Sequence, residues 1–157
     1  MSDGYEVDRT DLALLSLLAK NARLSNKELA TAVGLAPSSC HERLKNLRNK
    51  KILLGSHAKV NLHALGFSIE ALLFIQLAKL GAGQVDNYLQ QTAAIAEVRS
   101  VFLISGHFDM AVHLAVRNME HLKQVISDHF QQAFIMRVET SVVFNHLAHH
   151  ALPEVIV

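Results

Sequence analysis

Residues 25–48 hold two short helical segments separated by a turn of defined chemistry, and they leave this chain few ways to fold. The stretch opens Ser25-Asn26-Lys27-Glu28. The Ser hydroxyl can accept from the backbone N–H three residues on, while the Glu carboxylate reaches back to the cap's own N–H. Leu29, Ala30 and Val33 follow at helical spacing, and Gly34 falls where only glycine takes the left-handed conformation cheaply, so the first helix stops there. Pro37 marks the first turn of a second helix, where its missing N–H is not needed and its φ already suits the helix. In that helix Cys40, Leu44 and Leu47 share one inward stripe. At about 100° per residue the opposite positions are Ser38, Glu42, Lys45, Asn46 and Asn49, with Ser39, His41, Arg43 and Arg48 on the flanks. These hydrogen-bonding and cationic groups suit base edges and phosphates.

Any small helical bundle has short loops and a polar outer face, so the charge decides the reading. Residues 41–59 carry Arg43, Lys45, Arg48, Lys50, Lys51 and Lys59 against one acid, Glu42, and a solvated face is rarely so one-sided. Residues 1–60 hold ten Lys/Arg and six Asp/Glu, a balance of +4; residues 61–157 hold five and eight, a balance of −3, giving the net +1 of the chain. The basic part is the candidate nucleic-acid binder. No apolar run of about eighteen residues exists. The N-terminus does not lead from a basic into an apolar stretch, so a cytoplasmic protein without membrane span or secretion signal is expected. Cys40 is the single cysteine and lies on the inward stripe, which implies a buried thiol rather than a redox sensor.

Residues 1–6 are short and polar and read as a loose start. From Asp8, the spacing of Leu12, Leu15, Leu18 and Ala19 predicts an amphipathic helix with Asp8 or Thr10 as its cap and Asp11 in its first turn, where the helix dipole favours an acid. After the second helix of the pair, Ala58, Val60 and Leu62 alternate with His57, Lys59 and Asn61 as in a half-buried strand, and Gly66 is the expected boundary. Residues 67–80 read as a long apolar strand closed by Gly81 and Gly83. Val85, Tyr88, Leu89 and Ala93 then share a helix face. Val98, Ser100, Phe102 and Ile104 alternate with Arg99, Val101 and Leu103. Residues 109–116 form another strand, Asn118 caps a helix carrying Leu122, Val125, Ile126 and Phe130, and residues 135–144 close with a strand. Strand, helix, strand, strand, helix, strand is the split βαβ, ferredoxin-like order. Two helices cover one face of such a sheet. Strands apolar on both faces call for a partner on the other, so an obligate dimer through the open face is expected.

The chain resembles the Lrp/AsnC, or feast/famine, family of transcriptional regulators. The resemblance rests on Asp8-Arg9-Thr10-Asp11, on Arg23 to Asn26, on Glu28-Leu29-Ala30, on Val33-Gly34-Leu35, and on Pro37, Arg43, Leu44 and Leu47. It continues through Ile52, Gly55, Ala58, Gly106, Asp109, Thr140 and Ser141. It implies an α+β chain: a helix-turn-helix, winged-helix-like domain over 1–52, a linker strand over 53–66, and a ferredoxin-like domain for dimerisation and effector binding over 67–157. It further implies double-stranded DNA with a pseudo-palindromic operator, an amino-acid effector bound between dimers, and homodimers assembling to tetramers or octamers. Three positions depart from the family pattern. Ala36 replaces the usual Ser cap, at a cost of about 1 kcal/mol. Lys51 replaces the usual Gly, so the turn there is expected to use Asn49 in the left-handed conformation. Met110 replaces a frequent Tyr.

On this reading Lys45, Arg43 and Arg48 meet phosphates, and Ser38, Ser39, His41 and Glu42, with Asn46, reach towards base edges. At the turn formed by Ser105, Gly106, His107, Phe108 and Asp109, glycine permits close backbone approach and the carboxylate can pair with an ammonium group, as a free amino acid requires. The resemblance adds Thr140 and Ser141 to that site. Ten histidines raise a metal reading, since His146, His149 and His150 lie at i, i+3 and i+4, but dispersed partners and a single cysteine favour a solvated tail, and no metal or cofactor is expected. Two other functions compete. One is an enzyme on the same architecture, such as the decarboxylases of haem precursors, although no paired carboxylates, phosphate loop or Cys-His arrangement is present. The other is an effector sensor that does not bind DNA, which the intact 25–48 unit argues against.

Overall fold

A computed structural model of the chain describes residues 6–79, 81–147 and 152–153. The chain divides after Lys59, and the second compact unit runs Val60–His146. The division falls inside the stretch expected to be a linker.

The first unit is built on three helices, α1 (Arg9–Lys20), α2 (Asn26–Val33) and α3 (Pro37–Asn49). Asp8, not Thr10, caps α1: its Oδ1 accepts from the Asp11 N–H at 2.8 Å while Asp11 returns the bond, a full capping box. Ser25 and Glu28 make the same reciprocal pair at α2, and the Glu28 carboxyl is held below its usual range by the Ser25 hydroxyl and backbone N–H. Gly34 closes α2 at φ 70°, in the left-handed region. The core is Leu14, Leu29, Ala30, Cys40, Leu44 and Leu47. Along α1 the fully buried positions are Asp11 and Leu14, while Leu12, Leu15, Leu18 and Ala19 are half-buried. The inward stripe is therefore centred beside the expected one.

Two expectations about α3 meet different outcomes. Ala36 stands at the N-cap with no side-chain bond, as a methyl group must. Asn49, however, remains helical, and Lys51 itself turns left-handed at φ 56°. The N–H groups of Lys51 and Ile52 donate back to Arg48 and Leu47, both at 2.9 Å, so two terminal carbonyls are satisfied by the hydrogen-bond pattern glycine normally makes. The alternation over 57–62 forms no strand, because no strand among the described residues pairs with it; a 3-10 turn, His63–Leu65, follows.

The second unit is a four-stranded antiparallel sheet of order β2-β3-β1-β4, made of β1 (Ile69–Leu77), β2 (Val98–Leu103), β3 (Met110–Val116) and β4 (Ile135–Val143). Helices α4 (Ala82–Ala93) and α5 (Met119–His129) complete the ferredoxin-like order. Asn118 caps α5, accepting from the His121 N–H at 2.8 Å. Ala71, Leu73, Ile75 and Leu77 of β1 and Met110, Val112, Leu114 and Val116 of β3 meet Tyr88, Leu122, Val125 and Phe130 in the core. In β2 the register shifts between Val98 and Ser100, so strict alternation fails: Val98 and Val101 join the core, whereas Phe102 pairs with Ala111 on the other side and is 52% exposed. The face away from the helices is not uniformly apolar. Leu72 and Phe74 share it with Glu70 and His113, whose carboxylate and Nε2 lie 2.7 Å apart, and with the ion pair between Arg137 and Glu139.

Candidate functional site

In the first unit the second helix of the pair is held at its start and at its middle. The Asn26 side-chain amide donates to the Pro37 carbonyl at 2.8 Å, fixing the start of α3 against the start of α2. The Arg43 guanidinium Nη1 lies 2.7 Å from Asp8 Oδ2 and 2.9 Å from Asp11 Oδ1. The two carboxylates that cap α1 thus also grip α3. This arrangement holds Arg43 more firmly charged than usual, Asp11 contributing most, and lowers the Asp8 carboxyl, chiefly through the Asp11 N–H and then through Arg43.

Ser38, Ser39, Glu42, Lys45 and Asn46 are exposed on α3, and so are His41 and Arg48. The last two border a depression of about 380 Å3 with Leu18, Leu24, Leu29 and Leu53, which places them on the flank of the outward face. Arg43 is the exception, half-buried and engaged by two acids. The sequence marked it as one more outward cation because its partners lie 35 and 32 residues away, beyond any local pattern.

The turn in the second unit closes the end of the sheet. Gly106 has φ 127°, and a Cβ there would meet nothing within 4 Å; conformation rather than crowding requires glycine. The Asp109 N–H donates to the Ile75 carbonyl, its carbonyl accepts from the Ile104 N–H, both at 2.9 Å, and its Oδ2 accepts from the Leu77 N–H at 2.7 Å. The carboxylate therefore anchors the turn to the end of β1 and also lines an open depression of about 390 Å3 with Lys79, Val85, Leu103 and Ile104. Ser105 and His107 are exposed. His107 stands edge-on to Phe108, with ring centroids 4.9 Å apart, and Phe108 leans on Phe74 at 5.7 Å. Thr140 and Ser141 are exposed on β4 opposite Leu73 and Leu72 and so point to opposite faces of the sheet. Among the described residues no group of three or more potential ligands could hold a metal ion, and His149 and His150 lie outside the described residues.

Residues 7–48 match the AsnC-type helix-turn-helix domain and residues 70–153 match the Lrp/AsnC ligand binding domain. The chain belongs to the Lrp/AsnC family. Its relatives include the HTH-type transcriptional regulator AldR of Mycobacterium tuberculosis, 31% identical over 90% of this chain and 80% of that protein. Another is the leucine-responsive regulatory protein of Salmonella typhimurium, 33% identical over 80% of this chain and 76% of that one. A transcriptional regulator of Neisseria meningitidis solved as a complex with L-Met is 25% identical, with a TM-score of 0.85 over 94% of this chain and 97% of that chain. An Lrp/AsnC protein is a transcriptional regulator with a DNA-binding and a ligand-binding part, and both parts are present here. No helix among the described residues is long and apolar enough to cross a membrane.

Proposed function

We propose that this Lrp/AsnC regulator binds a pseudo-palindromic operator through α3 and responds to a free amino acid at the 105–109 turn. The observation that carries the reading is the row of exposed polar and cationic side chains on α3, standing out from a closed three-helix core. Lys45 and Arg48 take the phosphates; Ser38, Ser39, His41 and Glu42 lie in the N-terminal half, which reaches base edges in such motifs, with Asn46 beside them. Arg43 acts mainly as a clamp on α1. Two protomers joined by the sheet face away from the helices, where Phe102 is half-exposed, present two recognition helices to half-sites about one DNA turn apart. Further assembly to tetramers or octamers brings Thr140 and Ser141 of a neighbouring protomer to the turn, where Asp109 supplies the charge for an ammonium group. The protein acts in the cytoplasm, without catalysis and without a metal or cofactor.

Fluorescence anisotropy on the DNA upstream of the protein's own gene, over a salt series and with and without a pool of amino acids, tests this. Log affinity should fall linearly with log salt, by about 0.9 per phosphate contacted. Sedimentation under the same conditions should show the assembly shift with the amino acid that shifts affinity, because a ligand bound between dimers biases their association. Salt-insensitive, negligible DNA binding would refute the operator reading, and binding unmoved by the whole pool would refute the effector.

A further inference from the structure

Helix α3 carries one acid, Glu42, and it stands exposed among the polar and cationic groups of the outward face. At about 100° per residue it lies about 140–160° around the helix from each of the buried residues Cys40, Leu44 and Leu47, which puts it opposite the core. Among the described residues it makes no hydrogen bond and no ion pair. Lys45 and Asn46, its neighbours one turn on, leave it unpaired. The next cation in sequence, Arg43, is turned to Asp8 and Asp11. Nor does the helix itself call for an acid there: Pro37 opens α3, so Glu42 lies beyond the first turn, where the dipole would favour a carboxylate.

DNA carries about one negative charge per 1.7 Å of helix axis, so a bare carboxylate facing it weakens binding to every duplex. That repulsion is offset only where the carboxylate accepts a hydrogen bond from a base. In the major groove guanine presents O6 and N7 and thymine presents O4, all acceptors that repel it, whereas cytosine N4 and adenine N6 donate. Adenine sets the acceptor N7 beside its amine and cytosine does not, so cytosine suits a carboxylate best. The groove is about 12 Å wide and a helix with its side chains about 10–12 Å across, so the middle of the outward face meets the groove floor and its flanks meet the walls. Glu42 is in the middle. Lys45 and Arg48 lie to one side of it by the same angular count, where a backbone of phosphates passes.

We infer that Glu42 determines sequence selectivity at one position of each half-site: its carboxylate accepts from the N4 amine of a cytosine and turns away guanine and thymine. This rests on the operator reading above, since it needs α3 in the major groove, and goes further in naming the base. The one acid of the helix refuses duplexes that the cations around it would hold on charge alone.

Duplexes selected from a random pool by the full chain supply the half-site, and fluorescence anisotropy then compares all four bases at each of its positions for the parent, Glu42→Ala and Glu42→Gln. In the parent one position, the same in both half-sites, should favour cytosine over guanine and thymine by about tenfold or more, the discrimination of one good base contact. Glu42→Ala should lose that preference and bind unrelated duplexes more tightly. Glu42→Gln should move the preference to adenine, whose N6 and N7 suit a carboxamide. Preferences at the other positions should persist in both variants, and labelling of the buried Cys40 at the parent's rate shows that their helix-turn-helix unit is intact. A parent with no position that favours cytosine would overturn the proposal. So would variants that bind all duplexes more tightly, or no differently, with the pattern of base preference unchanged. Negligible binding by the parent to every sequence would remove the operator reading and this inference together, a result told apart by needing no variant.

Discussion

Replacing Arg43 by Met separates a clamp from a phosphate contact. Met keeps most of the aliphatic stem and removes the guanidinium. What is lost is set by Asp11, which is 1% exposed in its side chain while Arg43 is 32% exposed, 2.9 Å apart. Fully exposed pairs contribute about 0.2–1 kcal/mol and breaking fully buried ones costs about 3–5. One buried acid and one half-exposed cation lie between these limits, at about 2 kcal/mol. The contact to Asp8, itself half-exposed, is screened by solvent and adds little. Cys40 supplies the assay, being the sole cysteine and buried in the core of the same unit, so a disulfide-exchange reagent reaches it only when that unit opens. At about 1.36 kcal/mol per tenfold, Arg43→Met should speed labelling about 30-fold. The salt slope of DNA binding by the folded variant should stay the same, whereas Lys45→Ala should lower it by about 1 and leave labelling alone. A labelling rate unchanged within about threefold, together with a slope reduced as in Lys45→Ala, would refute the clamp and return Arg43 to the phosphates.

Lys51→Gly should stabilise the first unit by about 1 kcal/mol, since Lys51 occupies a left-handed conformation that glycine adopts freely; slower Cys40 labelling reads the gain, and faster labelling would contradict it. The first unit should also weaken in acid. The Asp8 and Glu28 carboxyls lie below their ordinary 3.8 and 4.5, so the stability they contribute is complete above those values and is lost as pH falls through the lower folded ones. Cys40 labelling extrapolated from a series of thiol-reactive probes, or far-UV circular dichroism melts, should show this decline below about pH 4.5, and a flat profile down to about pH 3 would exclude it. Asp109→Asn keeps an oxygen for the Leu77 N–H and removes the charge. The melting temperature should move by a few degrees at most while the amino-acid response of DNA binding disappears; a retained response would take Asp109 out of the effector site.

Most of the architecture was legible because its signals are local. The Ser25–Glu28 pair, Gly34, Pro37 and Asn118 each act within one helical turn, and each stands where its chemistry put it. The strand order followed from the alternation of strand and helix patterns, and the exposed residues of α3 from a period of 3.6. What escaped depends on partners far along the chain. Arg43 looked like a free cation because Asp8 and Asp11 meet it only once α1 and α3 are packed. The shift between Val98 and Ser100 is set by pairing with β3, and the alternation over 57–62 has no strand to pair with among the described residues. At Lys51 the backbone pattern of a glycine turn persists without the glycine, which composition could not reveal.

The bond from the Leu77 N–H to Asp109 joins a side chain to a main-chain group. Every residue except proline presents the same N–H, so the side chains of β1 can drift in evolution without loosening the anchor. On the proposed function, the selectivity of the turn is then free to change through its neighbours Ser105, His107 and Phe108 while its position at the end of the sheet is kept. If that proposal holds, a lineage can in this way exchange one metabolite signal for another without first rebuilding the domain that receives it.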